Sequence, residues 1–302
     1  MIPTRIVLVV LLSIASAMVY KQYRKSEDSY SDYEHYQFAK QYFIGDDRIH
    51  GRKPFLWIHA QGEINARNWE SFGSRNNTNL NQPYLYLTIK SIVDKCKDSF
   101  NVLLIDDESF HKLVPDWKVN MELLPSPSKE HYRQFGLTSL LYHYGGITVP
   151  MSTLVVEDLQ ALYKSYTKEK DVFTVETGPN SPNPKFMGSV KHGDGINRLR
   201  NVQGVLLKSD VTSEADFNKT LSKWCKTNTS VVCGSKVGTK KKCGNAVDLS
   251  ELLGANDVPL HDRVLAVYIP AEEILRRPKY AWFARMSVKQ IKESDMGLKK
   301  YL

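Results

Sequence analysis

Leu140-Leu141-Tyr142-His143-Tyr144-Gly145-Gly146-Ile147-Thr148-Val149-Pro150 is the stretch on which the fold turns. Lys129 to Tyr144 carries apolar residues at helical spacing, and two glycines then stop the helix, because glycine accepts the positive φ at which helices end. Ile147 to Val149 restarts the chain as a short strand. A helix fed into a strand through a tight turn is part of a βαβ unit, and the rest of that unit lies upstream. Phe55 to Ile58 and Val102 to Ile105 are compact apolar runs, as strands buried on both faces require, and Tyr84 to Cys96 between them has the helical period. Strand, helix, strand, helix, strand predicts an α/β fold with a mostly parallel sheet flanked by helices.

Downstream the pattern loosens. Asp171 to Val175 and Val264 to Ile269 read as strands, Ser213 to Lys226 as a helix, Thr177 to Lys185 as a Pro/Asn loop and Cys233 to Asn245 as a Gly/Lys-rich loop. A helix from Ala271 is expected to break at Pro278. Along the chain three parts are expected: a transmembrane anchor or signal segment over residues 1–20, a polar stalk over 21–53, and one domain over 54–302 that holds the strands.

The uncharged run from Ile6 to Tyr20 is flanked by Arg5 on one side and by Lys21, Arg24 and Lys25 on the other. At about 1.5 Å per residue it falls short of a hydrocarbon core of about 30 Å unless its flanks stretch it. Ala15-Ser16-Ala17 resembles a cleavage site, but three cations directly after the apolar run are unusual for a secretory signal. An uncleaved single-pass anchor is therefore preferred, and by the positive-inside rule those cations favour a cytoplasmic body. Cys225, Cys233 and Cys243 match no zinc spacing, and one disulfide among them stays open for a lumenal body, as do sequons at Asn76, Asn218 and Asn228.

With 302 residues, 42% hydrophobic and 25% charged, the chain is a globular one, and its net charge of +8 suits an anionic partner. Nucleic acid is not the expected partner, because no basic run is interleaved with aromatic residues. The histidines show no paired metal spacing, and no G-x-S-x-G elbow occurs, so hydrolase readings rank low. The four lysines between Lys236 and Lys242 lack a P-loop pattern and read as a solvated loop.

Taken in order, Phe55-Leu56-Trp57-Ile58-His59, Val102-Leu103-Leu104-Ile105-Asp106-Asp107 and Leu140 to Ile147 resemble the DxD-containing glycosyltransferases of the capsular polysaccharide synthesis and sugar-binding-region families. That resemblance implies a GT-A-type, Rossmann-like fold over about residues 54 to 156 and a nucleotide-sugar or glycan ligand. The segments Lys185-Phe186-Met187-Gly188 and Tyr268-Ile269-Pro270-Ala271-Glu272-Glu273 are similar to glycosyltransferase-like proteins of large DNA viruses, which implies a lineage without an established activity and admits a virion-associated or protein-assembly setting for a binding module.

Members of the DxD families place two carboxylates after the third strand, where they hold Mn²⁺ or Mg²⁺ against the diphosphate leaving group. Here Pro150 and Ser152 stand at those positions. Counting back from Gly145 puts Gln134 and Leu137 where the resemblance expects an Asp and an Arg facing the nucleotide. No metal is therefore expected unless another acid replaces the missing pair. The candidates for nucleotide or sugar contact are His59, Asp106, Asp107, Gln134, Gly145 and Gly146. Asp106 and Asp107 end a strand where open α/β sheets bind ligands, though an acid there also caps the next helix. This leaves two functions: a non-catalytic, membrane-anchored binding or structural module, or a transferase that works without a metal.

Overall fold

The computed structural model describes residues 16–20, 38, 41–42, 53–60, 82–178, 180–209 and 213–302. The predicted anchor and stalk lie mostly outside these residues. Among the described residues no helix is long and apolar enough to cross a membrane.

Eight strands are described: β1 Phe55–His59, β2 Asn101–Ile105, β3 Gly146–Thr148, β4 Thr153–Val155, β5 Val172–Gly178, β6 Ser181–Ser189, β7 Ser230–Val232 and β8 Ala266–Tyr268. The helices are α1 Tyr84–Cys96, α2 Ser109–Leu113, α3 Ser126–Tyr144, α4 Gln160–Glu169, α5 Asp194–Lys208, α6 Glu214–Asn228, α7 Leu249–Leu252, α8 Ala271–Arg276, α9 Ala281–Arg285 and α10 Val288–Glu293. The main sheet runs β2-β1-β3-β6-β5-β7, and β4 pairs β8 in a second, two-stranded sheet. In the main sheet β1 is parallel to β2 and β3, and β5 is parallel to β7, while β6 is antiparallel to both its neighbours. The sheet is thus mixed, with a parallel majority.

Alternation along β1 shows why the sheet sits between two helical layers. Phe55 and Trp57 join a core with α3, α5 and α6, through Leu137, Leu141, Ile196 and Phe217. Leu56 and Ile58 face the opposite way, into a core with Ile89, Ile92 and Val93 of α1 and Leu162 of α4. A third core binds β4 and β8 to the C-terminal helices through Leu154, Val267, Ile274, Phe283 and Ile291.

Gly146 shows what the double glycine is for. It has φ 102° and lies so close to β1 that an added Cβ would be 2.1 Å from the Phe55 carbonyl oxygen. Glycine alone permits both the backbone angle and the approach.

Two expectations are corrected by the structure. The Pro/Asn stretch from Thr177 to Lys185 is mostly strand, since β6 begins at Ser181 and pairs with β5. Its prolines are tolerated because β3 pairs β6 only over Met187–Ser189, so Pro182 and Pro184 lie where β6 has one strand neighbour. The lysine loop is also not simply solvated. Lys240 pairs with Glu176 at 2.7 Å, Lys241 with Glu251 at 2.5 Å and Lys242 with Asp262 at 2.7 Å.

All four cysteines are free. Burial pushes the Cys96 thiol up to about 11 and the Cys225 thiol up to about 12, which makes both poor nucleophiles. Two sequon residues lie on α6 with engaged side chains: Asn218 accepts from Gln134, and Asn228 donates to the Trp224 carbonyl. Two residues of the predicted stalk, Phe38 and Tyr42, pack against the domain, and Leu104 N–H of edge strand β2 donates to the Tyr42 carbonyl at 2.7 Å.

Candidate functional site: a cleft at the carboxyl ends of the parallel strands

The three parallel strands β2, β1 and β3 end at one edge of the sheet, the edge at which open α/β sheets bind ligands. A cavity of about 120 Å³ opens there, large enough for several waters or one polar ligand group. Its floor is Trp57, His59 and the chain from Thr148 to Ser152. One wall comes from α3 and the other from β6, β8 and the start of α8.

The α3 wall is a single helical stripe. Glu130, Arg133, Gln134 and Leu137 recur at i, i+3, i+4 and i+7 and all line the cavity. The resemblance expects an acid and an arginine three residues apart on this helix. Glu130 and Arg133 supply that spacing one turn before the counted positions.

Arg133 organises the charges. Its Nε and Nη2 donate to the two carboxylate oxygens of Asp107 at 2.8 and 2.5 Å, and its Nη1 donates to Glu130 at 2.6 Å. The bidentate pairing fixes both partners more firmly than a point charge does. His59 Nε2 donates to the Asp107 carboxylate at 3.0 Å, since an ionised carboxylate only accepts, and the imidazole stacks on Phe110. Burial alone raises the pKa of Asp107. The hydrogen bonds from Arg133 and His59 outweigh it and hold the carboxyl well below the usual range. Burial likewise disfavours the charged Arg133, and Asp107 and Glu130 more than restore it.

On the facing wall, Lys185 Nζ donates to Glu272 at 2.8 Å and lies 3.7 Å from Glu130. Tyr268 OH also reaches Glu272, at 3.4 Å. Lys185 lines the same cavity as Pro150, so an ammonium group shares the cleft with the position where the resemblance places a metal-binding carboxylate.

A divalent cation does not fit this donor set. Pro150 and Ser152 offer no carboxylate, and Glu130 and Glu272 are engaged by Arg133 and Lys185. Among the described residues no group of three or more His, Cys, Asp or Glu stands close enough to hold a metal ion.

Of the residues singled out in the sequence, the cavity brings together His59, Gln134, Pro150 and Ser152, with Asp107 paired to His59 and Arg133 behind its lining. Asp106 does not line it. Its carboxylate accepts from the Ser109 N–H at 2.9 Å and from the Ser109 hydroxyl at 2.7 Å, in the turn that leads into α2. Gly145 and Gly146 lie at the far end of β3, where the Gly145 carbonyl accepts from Trp57 Nε1 at 3.1 Å. Sequence reasoning missed Glu130, Arg133, Lys185, Tyr268 as a wall residue, and Glu272. The first two were recoverable from the helical period of α3. Lys185 was hidden in a segment read as a loop.

Two more polar groups line the cavity. Gln82 and Gln134 are 5% and 1% exposed, and the side-chain oxygen of each has no hydrogen-bond partner. A buried acceptor left in that state costs about 1–3 kcal/mol.

The fold and site together define an α/β protein with a cleft at the strand ends. No known protein family and no curated protein matches the chain. Among solved structures it is similar to one described as PaToxG Glycosyltransferase, at 12% identity and a TM-score of 0.34, over 69% of this chain and 81% of that one. So loose a superposition carries no argument about ligand or activity.

Proposed function

We propose that the chain is a glycosyltransferase-like protein whose strand-end cleft binds a sugar-bearing ligand, nucleotide-sugar or glycan, without a metal and without turning it over. The apolar segment from Ile6 to Tyr20 serves as its membrane tether, and the domain acts as a binding or assembly module. The observation that carries this reading is the arrangement of charge in the cleft. Every described carboxylate that could approach a metal there is already bonded to Arg133 or Lys185, and Pro150 and Ser152 stand where the acidic pair is expected. A fixed pre-bonded network positions a ligand but supplies no Lewis acid for a departing diphosphate.

One observation favours the second reading, a metal-independent transferase. Lys185 lines the cavity with Pro150 and brings an ammonium group to the cleft. Its pairing with Glu272 and its approach to Glu130 offset that charge, which is why binding is preferred to transfer.

The test is turnover. The full chain, given UDP-, GDP- and CMP-sugars with Mn²⁺, Mg²⁺ or EDTA, is expected to release no nucleotide above background. Metal-dependent release overturns the proposal. Release that persists in EDTA and disappears in Lys185→Met establishes the second reading instead.

A further inference from the structure

We infer that a second site, at the edge of the main sheet opposite the cleft, binds a phosphate group through Arg200, Lys191, His192 and His143. The inference stands apart from the proposed sugar cleft and shares none of its residues.

α3 ends at Tyr144 and β3 starts at Gly146, so this edge lies where the parallel strands begin. Tyr142 is the hub of the cluster. The Arg200 guanidinium sits 4.1 Å over its ring, and the His143 and His192 imidazoles each stand near-perpendicular to it, with ring centres 5.1 Å away. The two imidazoles are 6.3 Å apart. The backbone fixes the arrangement: His192 N–H donates to the Tyr142 carbonyl at 2.8 Å, and His192 keeps φ 57°, an uncommon angle for a residue with a side chain. Gly145 lets Lys191 close in, since an added Cβ there would be 2.8 Å from the Lys191 nitrogen.

These four groups meet with their donors unspent. Stacking uses the face of the guanidinium and leaves the N–H groups on its rim. Among the described residues none of the four side chains has a hydrogen-bond or ion-pair partner. Lys191 and His192 are exposed and His143 and Arg200 only partly buried, so a ligand from solvent reaches all four.

The acids nearest in sequence do not compensate. Asp171 accepts from the Gly195 N–H at 2.6 Å, and Asp194, exposed in the first turn of α5, pairs with none of the four. Burial and then the charges of Arg200, His192 and Lys191 press the His143 pKa below its ordinary value, with no carboxylate acting against them. A metal cation is unsuited to these histidines, because Arg200 and Lys191 repel it. A phosphate group accepts several hydrogen bonds at once and neutralises the excess charge.

The test is calorimetry of the full chain in an uncharged detergent with inorganic phosphate, at an ionic strength held constant with chloride. Saturable binding is expected, and Arg200→Met should weaken it by about tenfold or more. Lys191→Met, at an exposed position, should weaken it by about threefold without moving the melting temperature. Lys97→Met, an exposed cation between α1 and β2 and outside the cluster, should leave it unchanged. Absence of saturable binding overturns the site. Equal losses in all three variants reduce the binding to general charge screening and overturn it as well. The source of the phosphate is read by repeating the titration with glycerol 3-phosphate in bilayer discs of phosphatidylcholine, with and without phosphatidic acid. Binding lost only in the anionic discs supports the site with a lipid headgroup as its ligand, and binding kept in both supports it with a soluble phosphate ester.

Discussion

Two clusters of opposite charges can be compared in this molecule, the cleft network around Arg133 and the lysine loop between Lys236 and Lys242. Both look alike as composition: basic residues with acids within reach. They differ in burial and connectivity. In the cleft, side chains of Arg133 and Asp107 are 6% and 22% exposed, and the bonds run on from His59 through Asp107 and Arg133 to Glu130. In the loop, Lys242 and Asp262 are 62% and 75% exposed and bond only as a pair in the described contacts. Water surrounds and screens the second arrangement but reaches the first only from the cavity side, so equal charge counts give unequal energies.

The largest test of that difference is Arg133→Met. It leaves Asp107 only its bond from His59 and Glu130 at 3.7 Å from Lys185 among the described contacts, and chemical denaturation should show a loss of about 3 kcal/mol. Asp107 gives a test in pH. Its folded-state pKa is depressed, so its contribution is fully present above the ordinary carboxylate value and is lost as pH falls through the folded one. Melting temperatures of the wild-type protein should therefore decline between about pH 4 and pH 2, and those of Asp107→Asn should decline less over the same window. An equal slope in both proteins would detach Asp107 from the network.

Lys240→Met should have an intermediate effect. Glu176 is 9% exposed and keeps only the Gly234 N–H, at 2.9 Å, as its described donor once the lysine is gone, so a loss of about 1–3 kcal/mol is expected in the same denaturation assay. Lys242→Met should leave the denaturation midpoint unchanged, because its pair lies in water. Should Lys242→Met prove as costly as Arg133→Met, the distinction between the two clusters would be lost.

The first half of the fold was legible in the sequence because its elements are set by local period. Tyr84–Cys96 is a helix over the expected bounds, and the runs at Phe55, Val102 and Ile147 are neighbouring strands of one sheet. β6 was not legible, because Pro182 and Pro184 suppress the strand signal, and only the pairing with β5 on one side makes them tolerable. Helices α4 and α5 and strand β7 were also not anticipated. Their burial is set by partners far along the chain: Leu162 packs in the core with Phe173, and Leu199 packs in the core with Trp57. The site divides in the same way. His59, Asp107 and Gln134 could be picked from strand ends and a helix count, whereas Lys185 and Glu272 meet only because β6 turns back antiparallel beside β3.

The central claim is that the cleft needs no metal to hold its ligand. Calorimetry of the best-binding sugar ligand on the full chain, first in Mn²⁺ and then in EDTA, tests it most directly. The same affinity is predicted in both buffers. Binding that appears only with Mn²⁺ and vanishes in EDTA would contradict it.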